Sequence, residues 1–161
     1  MPIIAEDLGI ITPDVDALRR QFDLPGMRVL HFAFGGASDN TYLPHNYEAN
    51  TVVYTGTHDN NTTPGWWAQA SDAERQHVRE YFALKPEDEP SIHWVLIRAA
   101  CASVADTAIH PLQDVLGLGA ESRMNLPGVG EGHWEWRFSW DQVNPGHAQQ
   151  LLKLCQLYRR Y

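Results

Sequence analysis

The sequence predicts an α/β fold in which short parallel strands alternate with helices. Three observations carry this. Short apolar or β-branched runs recur along the chain, and each ends in a polar or glycine-containing segment. Helical patterns with start and stop signals lie between these runs. The length of 161 residues, with 43% hydrophobic and 20% charged residues, fits a globular domain of ordinary size.

The elements follow in order. Ile3-Ile4-Ala5 is the first expected strand, ending at Glu6-Asp7 and Gly9. Thr12-Pro13-Asp14 places an N-cap before a proline at the first helical position, and the helix runs over 13–22 with Val15, Leu18 and Phe22 at helical spacing. Leu24-Pro25-Gly26 stops it before a second expected strand over 28–34. A loop rich in Gly, Asn and Pro covers 35–50, after which Thr51-Val52-Val53-Tyr54-Thr55 is the third strand. It breaks at Gly56 and runs into the polar segment Thr57-His58-Asp59-Asn60-Asn61-Thr62-Thr63. A capping box, Ser71-Asp72-Ala73-Glu74, opens a helix over 71–84, and a helix over 90–103 carries Ile92, Val95, Leu96 and Ala99 on one face. Both are expected in an outer layer. Residues 105–112 give a fourth short strand, followed by a glycine-rich stretch over 117–132 and a last amphipathic helix over 145–161. No repeat or linker divides the chain, so residues 1–161 are expected to form a single domain.

This pattern contains about four strand–helix units, whereas a complete (β/α)8 barrel needs about 250 residues. It corresponds to half a barrel, with a small doubly wound open sheet as the alternative. An open half-barrel has two unpaired sheet edges, which calls for a partner, either the missing half or a second copy in a homo-oligomer.

Composition excludes several function classes. Twelve Lys and Arg against twenty Asp and Glu give a net charge of -8, which disfavours phosphate backbones and anionic lipid, so neither nucleic acid nor membrane is an expected partner. No apolar stretch approaches the roughly 20 residues of a membrane span. Cys101 and Cys155 lie far apart inside apolar helical patterns and read as buried thiols of a reducing compartment, with the cytoplasm as the expected location. Eight histidines occur without a metal-ligand spacing, and Gly128, Gly130 and Gly132 precede His133-Trp134 instead of a helix. Neither a metal nor a nucleotide cofactor is expected.

The candidate chemistry sits after strands, where α/β folds place their sites. Glu6-Asp7 follows the first expected strand and His58-Asp59 the third. Two carboxylates facing one pocket can divide into a protonated acid and an ionised stabiliser. Asp7 also reads as an ordinary cap of the next element. His58 and Asp59 are more diagnostic because Thr57, Asn60, Asn61, Thr62 and Thr63 surround them with hydrogen-bonding groups. Asn125, in a later loop, can hold a ligand hydroxyl or stabilise a turn.

Six blocks, taken together, carry a resemblance. Pro2-Ile3-Ile4-Ala5-Glu6-Asp7-Leu8-Gly9, Leu24-Pro25-Gly26-Met27, Tyr42-Leu43-Pro44-His45-Asn46-Tyr47, Tyr54-Thr55-Gly56-Thr57-His58-Asp59-Asn60, Asp106-Thr107-Ala108 and Arg123-Met124-Asn125-Leu126-Pro127-Gly128 resemble, in order, the C-terminal part of the amylomaltases, the 4-α-glucanotransferases related to the α-amylases. The resemblance implies the C-terminal half of a (β/α)8 barrel, about strands five to eight, and a retaining transfer of α-1,4-glucan segments between maltooligosaccharides. It implies that Glu6 is the general acid/base and Asp59 the transition-state stabiliser. His58, Asn125 and Phe32 are the implied substrate contacts. The family's nucleophilic aspartate stands in an Arg-x-Asp context, which occurs nowhere in this chain and is expected upstream of residue 1. A retaining mechanism needs both carboxylates. The isolated chain is therefore expected to be inactive or very weak, and an α-glucan-binding or scaffold fragment without chemistry is the alternative.

Overall fold

The computed structural model describes residues 3–160, so the readings that touch Met1, Pro2 and Tyr161 lie outside it. In chain order the regular elements are α1 (Pro13–Gln21), β1 (Gly26–Val29), β2 (Thr51–Tyr54), α2 (Thr63–Gln69), α3 (Asp72–Phe82), α4 (Ile92–Ala102), β3 (Thr107–Ile109), α5 (Leu112–Val115) and α6 (Pro145–Tyr158). The strands form one open parallel sheet in the order β1-β2-β3, with Met27 opposite Val52 and Val52 opposite Thr107. This sequential order has no reversal, whereas a doubly wound sheet requires one at its switch point. The crossover from β2 to β3 carries α2, α3 and α4, and that from β1 to β2 contains only 3-10 turns at Leu30–Phe32 and Pro44–Asn46.

The first expected strand is not part of the sheet. Ala5 N–H donates to the Pro25 carbonyl at 2.9 Å, but Met27 N–H, which a parallel ladder would return to the Ala5 carbonyl, goes to the Asp7 side chain, so the ladder stops after one bond. What holds this segment beside β1 is Asp7, whose Oδ1 accepts from Met27 N–H at 2.6 Å and whose Oδ2 pairs with Arg28 at 3.2 Å and Arg19 at 3.6 Å. Asp7 thus anchors this segment to β1 and α1 and does not cap the next helix, whose N-cap is Thr12. The strand expected over 28–34 ends at Val29, because the chain turns at Leu30 and carries Leu30, Ala33 and Phe34 into the core. The fourth expected strand shrinks to Thr107–Ile109.

The helices follow local signals closely. Ser71 accepts from Glu74 N–H while the Glu74 carboxylate accepts from Ser71 N–H at 2.8 Å, completing the capping box that starts α3. A proline-bearing 3-10 turn over Pro86–Ser91 occupies the start of the helix expected at 90, so α4 begins at Ile92. The seven-residue α2 was not expected. Thr62 caps it by accepting from Gly65 N–H at 3.2 Å, and Pro64 occupies its first turn.

Two apolar clusters meet on α4. Leu96, Ala99 and Ala100 pack with Leu30, Phe34, Leu43 and Val53, while Ile97 and Cys101 pack with Val115 and Leu154 of the later elements. The Arg160 guanidinium binds the carbonyls of Cys101 and Ser103, at 2.9 and 2.6 Å, and that of Ala105, so it satisfies the C-terminal end of α4 and ties α6 to it. By contrast Val15, Leu18 and Phe22, the apolar row of α1, are exposed, and its buried residue is Arg19. Cys101 is buried and Cys155 half-buried, and both are free thiols.

Candidate active site

The cavity at the carboxyl ends of the strands has a volume of about 1080 Å3, and Glu6, Phe32, His58, Asp59 and Trp134 are among the residues lining it. Four of the five residues singled out from the sequence therefore share one cavity. Asn125 lines an adjoining cavity that shares Trp134, and donates from Nδ2 to Asp59 Oδ1 at 2.6 Å.

The turn that presents His58 and Asp59 is folded by its neighbours. Asn60 Oδ1 accepts from both the backbone N–H and the hydroxyl of Thr57 at 2.8 Å, and Asp59 N–H reaches Thr57 Oγ1 at 3.3 Å. Asn61 donates to Gln69 at 3.0 Å, and Thr62 caps α2. Much of the polar capacity that drew attention to residues 57–63 thus shapes the loop itself. Gly56 is required at its entry for a steric reason, since a Cβ there would stand 2.7 Å from His31 Cε1 and 3.2 Å from Asn60 Cβ.

Around the Asp59 carboxylate the contacts converge. His58 Nε2 lies 3.3 Å from Oδ1, the oxygen that Asn125 also reaches. Arg123 Nη2 donates to the Asp59 carbonyl and its Nε to the Asn125 carbonyl, each at 2.6 Å, so one guanidinium fixes both segments. The indole of Trp134 lies over the His58 ring, with centroids 5.0 Å apart and planes 39° apart. Trp134 adopts φ +64°, unusual for a bulky residue, and its N–H donates to the Met124 carbonyl at 2.8 Å. Arg123 lies in a motif the sequence reading quoted, without a role of its own. Trp134 carried no signal that separated it from packing aromatics.

Beneath the loop lies a buried polar network. His31 is stacked on Trp66 at 4.9 Å, and burial pushes its pKa down to about 3, so the ring is neutral. His110, which also lines the cavity, is held down to about 4 by burial and by the nearby Arg160 charge. Burial pushes the Asp114 carboxyl up, and hydrogen bonds from Thr55 and Thr63 oppose that shift. Among the described residues no three His, Cys, Asp or Glu side chains gather as a metal site, and no helix is long and apolar enough to cross a membrane.

A family model described as 4-alpha-glucanotransferase matches residues 1–143. A 4-alpha-glucanotransferase from Synechocystis is 52% identical over 161 residues, covering 99% of this chain and 32% of its own length. One from Thermus thermophilus is 46% identical over 165 residues, covering 99% of this chain and 33% of its own length. The structure of Streptococcus agalactiae amylomaltase in complex with acarbose superposes with a TM-score of 0.94 at 32% identity, over 99% of this chain and 32% of that one. This chain spans about a third of the length of the relatives it matches. With most of its residues inside the family model and its cavity built from the same blocks, the chain belongs to the 4-alpha-glucanotransferase family.

Proposed function

We propose that this chain provides the acid/base and charge-stabilising side of a retaining 4-α-glucanotransferase site, and corresponds to about strands five to eight of a (β/α)8 barrel. Glu6 is the general acid/base. It protonates the glycosidic oxygen as the bond to the leaving glucan breaks, then removes the proton from the hydroxyl of the incoming sugar. Asp59 stabilises the oxocarbenium-like centre between these steps. His58, Asn125 and Phe32 contact the sugar. The observation that carries this reading is the convergence of Asn125 and Arg123 on Asp59, in a cavity that Glu6 also lines. A carboxylate held by Asn125 within a fixed loop matches the preorganisation that charge stabilisation needs. The relative solved with acarbose supports a maltooligosaccharide-like ligand for this cavity.

The nucleophile comes from outside this chain, since no Arg-x-Asp occurs in it. The rest of the barrel completes the site, and the exposed row Val15, Leu18 and Phe22 supports a face that it covers. A cytoplasmic location is part of this proposal, although the relatives include a chloroplastic enzyme from rice. The test is maltotriose disproportionation by the purified chain, alone and mixed with a separately expressed N-terminal portion of a relative. Activity that appears only on mixing and disappears with Glu6→Gln supports the proposal. A stable complex with no turnover refutes it as a statement of activity.

The aromatic lining of the cavity by Phe32 and Trp134 favours a second reading, an α-glucan-binding fragment without chemistry. Titration with maltooligosaccharides separates it from a fragment that binds nothing. Saturable binding without turnover in any mixture supports it, and no binding at millimolar sugar removes it.

A further inference from the structure

Asp114 lies on α5, 1% exposed, 51 residues from Thr63 and 59 from Thr55 in sequence. Its Oδ2 accepts from the Thr55 hydroxyl at 2.5 Å and the Thr63 hydroxyl at 2.8 Å, and its Oδ1 accepts from Thr63 N–H at 2.6 Å. Thr55 follows β2 and Thr63 begins α2. One carboxylate thus binds both ends of the segment that carries His58 and Asp59.

The network also has a direction. The single proton of the Thr63 hydroxyl goes to Asp114, so Thr63 Oγ1 accepts from His31 Nε2, 2.9 Å away. That fixes His31 as the Nε2–H tautomer. Its Nδ1 is buried and has no partner among the described residues, and a Cβ on Gly56, at the start of the same segment, would stand 2.9 Å from it.

We propose that Asp114 is a positioning residue that clamps both ends of the His58–Asp59 loop and sets the hydrogen-bond direction from His31 through Thr63. A carboxylate suits this role because it only accepts, so every donor must point at it. An amide of the same shape does not. In Asp114→Asn the NH2 group donates toward the hydroxyls, Thr63 turns its proton to His31 Nε2, and His31 changes to the Nδ1–H form. The bearing of the clamp on glucan transfer rests on the function proposed above, whereas the clamp itself does not.

The experiment uses the 15N-labelled chain as wild type, Asp114→Asn and Thr63→Val. Long-range 1H–15N correlation reads the His31 tautomer, and 15N relaxation reads the loop. In the wild type we expect a pyrrole-like Nε2 and a pyridine-like Nδ1, with order parameters near about 0.85 at residues 57–60. Asp114→Asn exchanges the two nitrogen signatures and lowers the loop order parameters toward about 0.6. Thr63→Val keeps the backbone donor to Asp114 but breaks the relay, so the tautomers mix and the loop loosens at its α2 end. An Nδ1–H tautomer in the wild type overturns the proposal. So does an unchanged tautomer and loop in either folded variant. Should Asp114→Asn not fold, the wild type and Thr63→Val decide alone. Acarbose titration is read separately: no binding by the wild type counts against the glucan reading, while tautomer and relaxation still judge the clamp.

Discussion

Gly56→Ala isolates the steric demand at the entry of the Asp59 loop. The added Cβ would lie 2.7 Å from His31 Cε1, 2.9 Å from His31 Nδ1 and 3.2 Å from Asn60 Cβ. Neither neighbour can retreat cheaply. His31 is stacked on Trp66 with 8° between planes and bonded to Thr63, and Asn60 accepts two bonds from Thr57. Overpacking of this kind costs about 1–3 kcal/mol. The alanine recovers about 0.4–1 kcal/mol by restricting the unfolded chain. The net loss is about 1.3 kcal/mol, which for a chain of this length lowers Tm by roughly 3–5 °C. Gly130→Ala is the control, because a Cβ there meets nothing within 4 Å. Only the unfolded-state term then acts, and Tm rises by roughly 1–4 °C. Both variants are read by thermal unfolding followed by circular dichroism. A Gly56→Ala midpoint within about 1 °C of the wild type would refute the packing argument. So would a Gly130→Ala loss as large as that of Gly56→Ala.

Three further predictions concern stability and reactivity. His31 has its folded pKa depressed to about 3 from 6.5, so the unfolded chain binds the proton more tightly; this stability is fully present above pH 6.5 and lost as pH falls toward 3. At pH 5 the loss from His31 alone is about 2 kcal/mol, and urea midpoints that stay flat from pH 7 to 5 would contradict a desolvated neutral ring. Asp114, with its carboxyl pushed up, acts with the opposite sign in the carboxylate range. Leu96→Ala and Ile97→Ala, both fully buried on α4 but in different clusters, each cost about 2–5 kcal/mol; a loss confined to one of them means that one cluster is not a true core. Native-state alkylation labels Cys155 first, because Cys101 is buried and its thiol is pushed up by burial, and equal rates at the two would count against this packing.

Elements were legible in the sequence where their signal is local. The capping box Ser71-Asp72-Ala73-Glu74 sits within one turn, and the helix expected over 71–84 is found as Asp72–Phe82. Pro145 behind Asn144 likewise marks the start of α6. Strand extent was not legible, because it depends on what the partner can return. Ile3-Ile4-Ala5 has the composition of a strand, but the Met27 N–H that would extend its ladder is taken by the Asp7 carboxylate. The apolar row of α1 has the period of a packed helix, yet Val15, Leu18 and Phe22 face outward among the described residues. Periodicity says that a face is apolar, and not which surface covers it.

The same distinction runs through the site. Glu6, His58 and Asp59 stood out because a carboxylate just after an apolar run is a positional signal within a few residues. The hydrogen-bonding groups of Thr57, Asn60, Asn61 and Thr62 that surround His58 and Asp59 go largely into the turn and the cap of α2. The groups that hold that turn in place were beyond reach, since Asp114 meets Thr63 across 51 residues and Thr55 across 59. Nothing in the local sequence of Asp114 distinguishes it from a residue of a short surface helix, and only the fold shows it to be buried beneath the loop. The consequence is a difference in kind between two substitutions. Losing Asn125 leaves Asp59 Oδ1 with His58 alone and the loop's ends where they are. Losing Asp114 releases both ends at once, so a residue that lines no part of the cavity has the wider hold on Asp59.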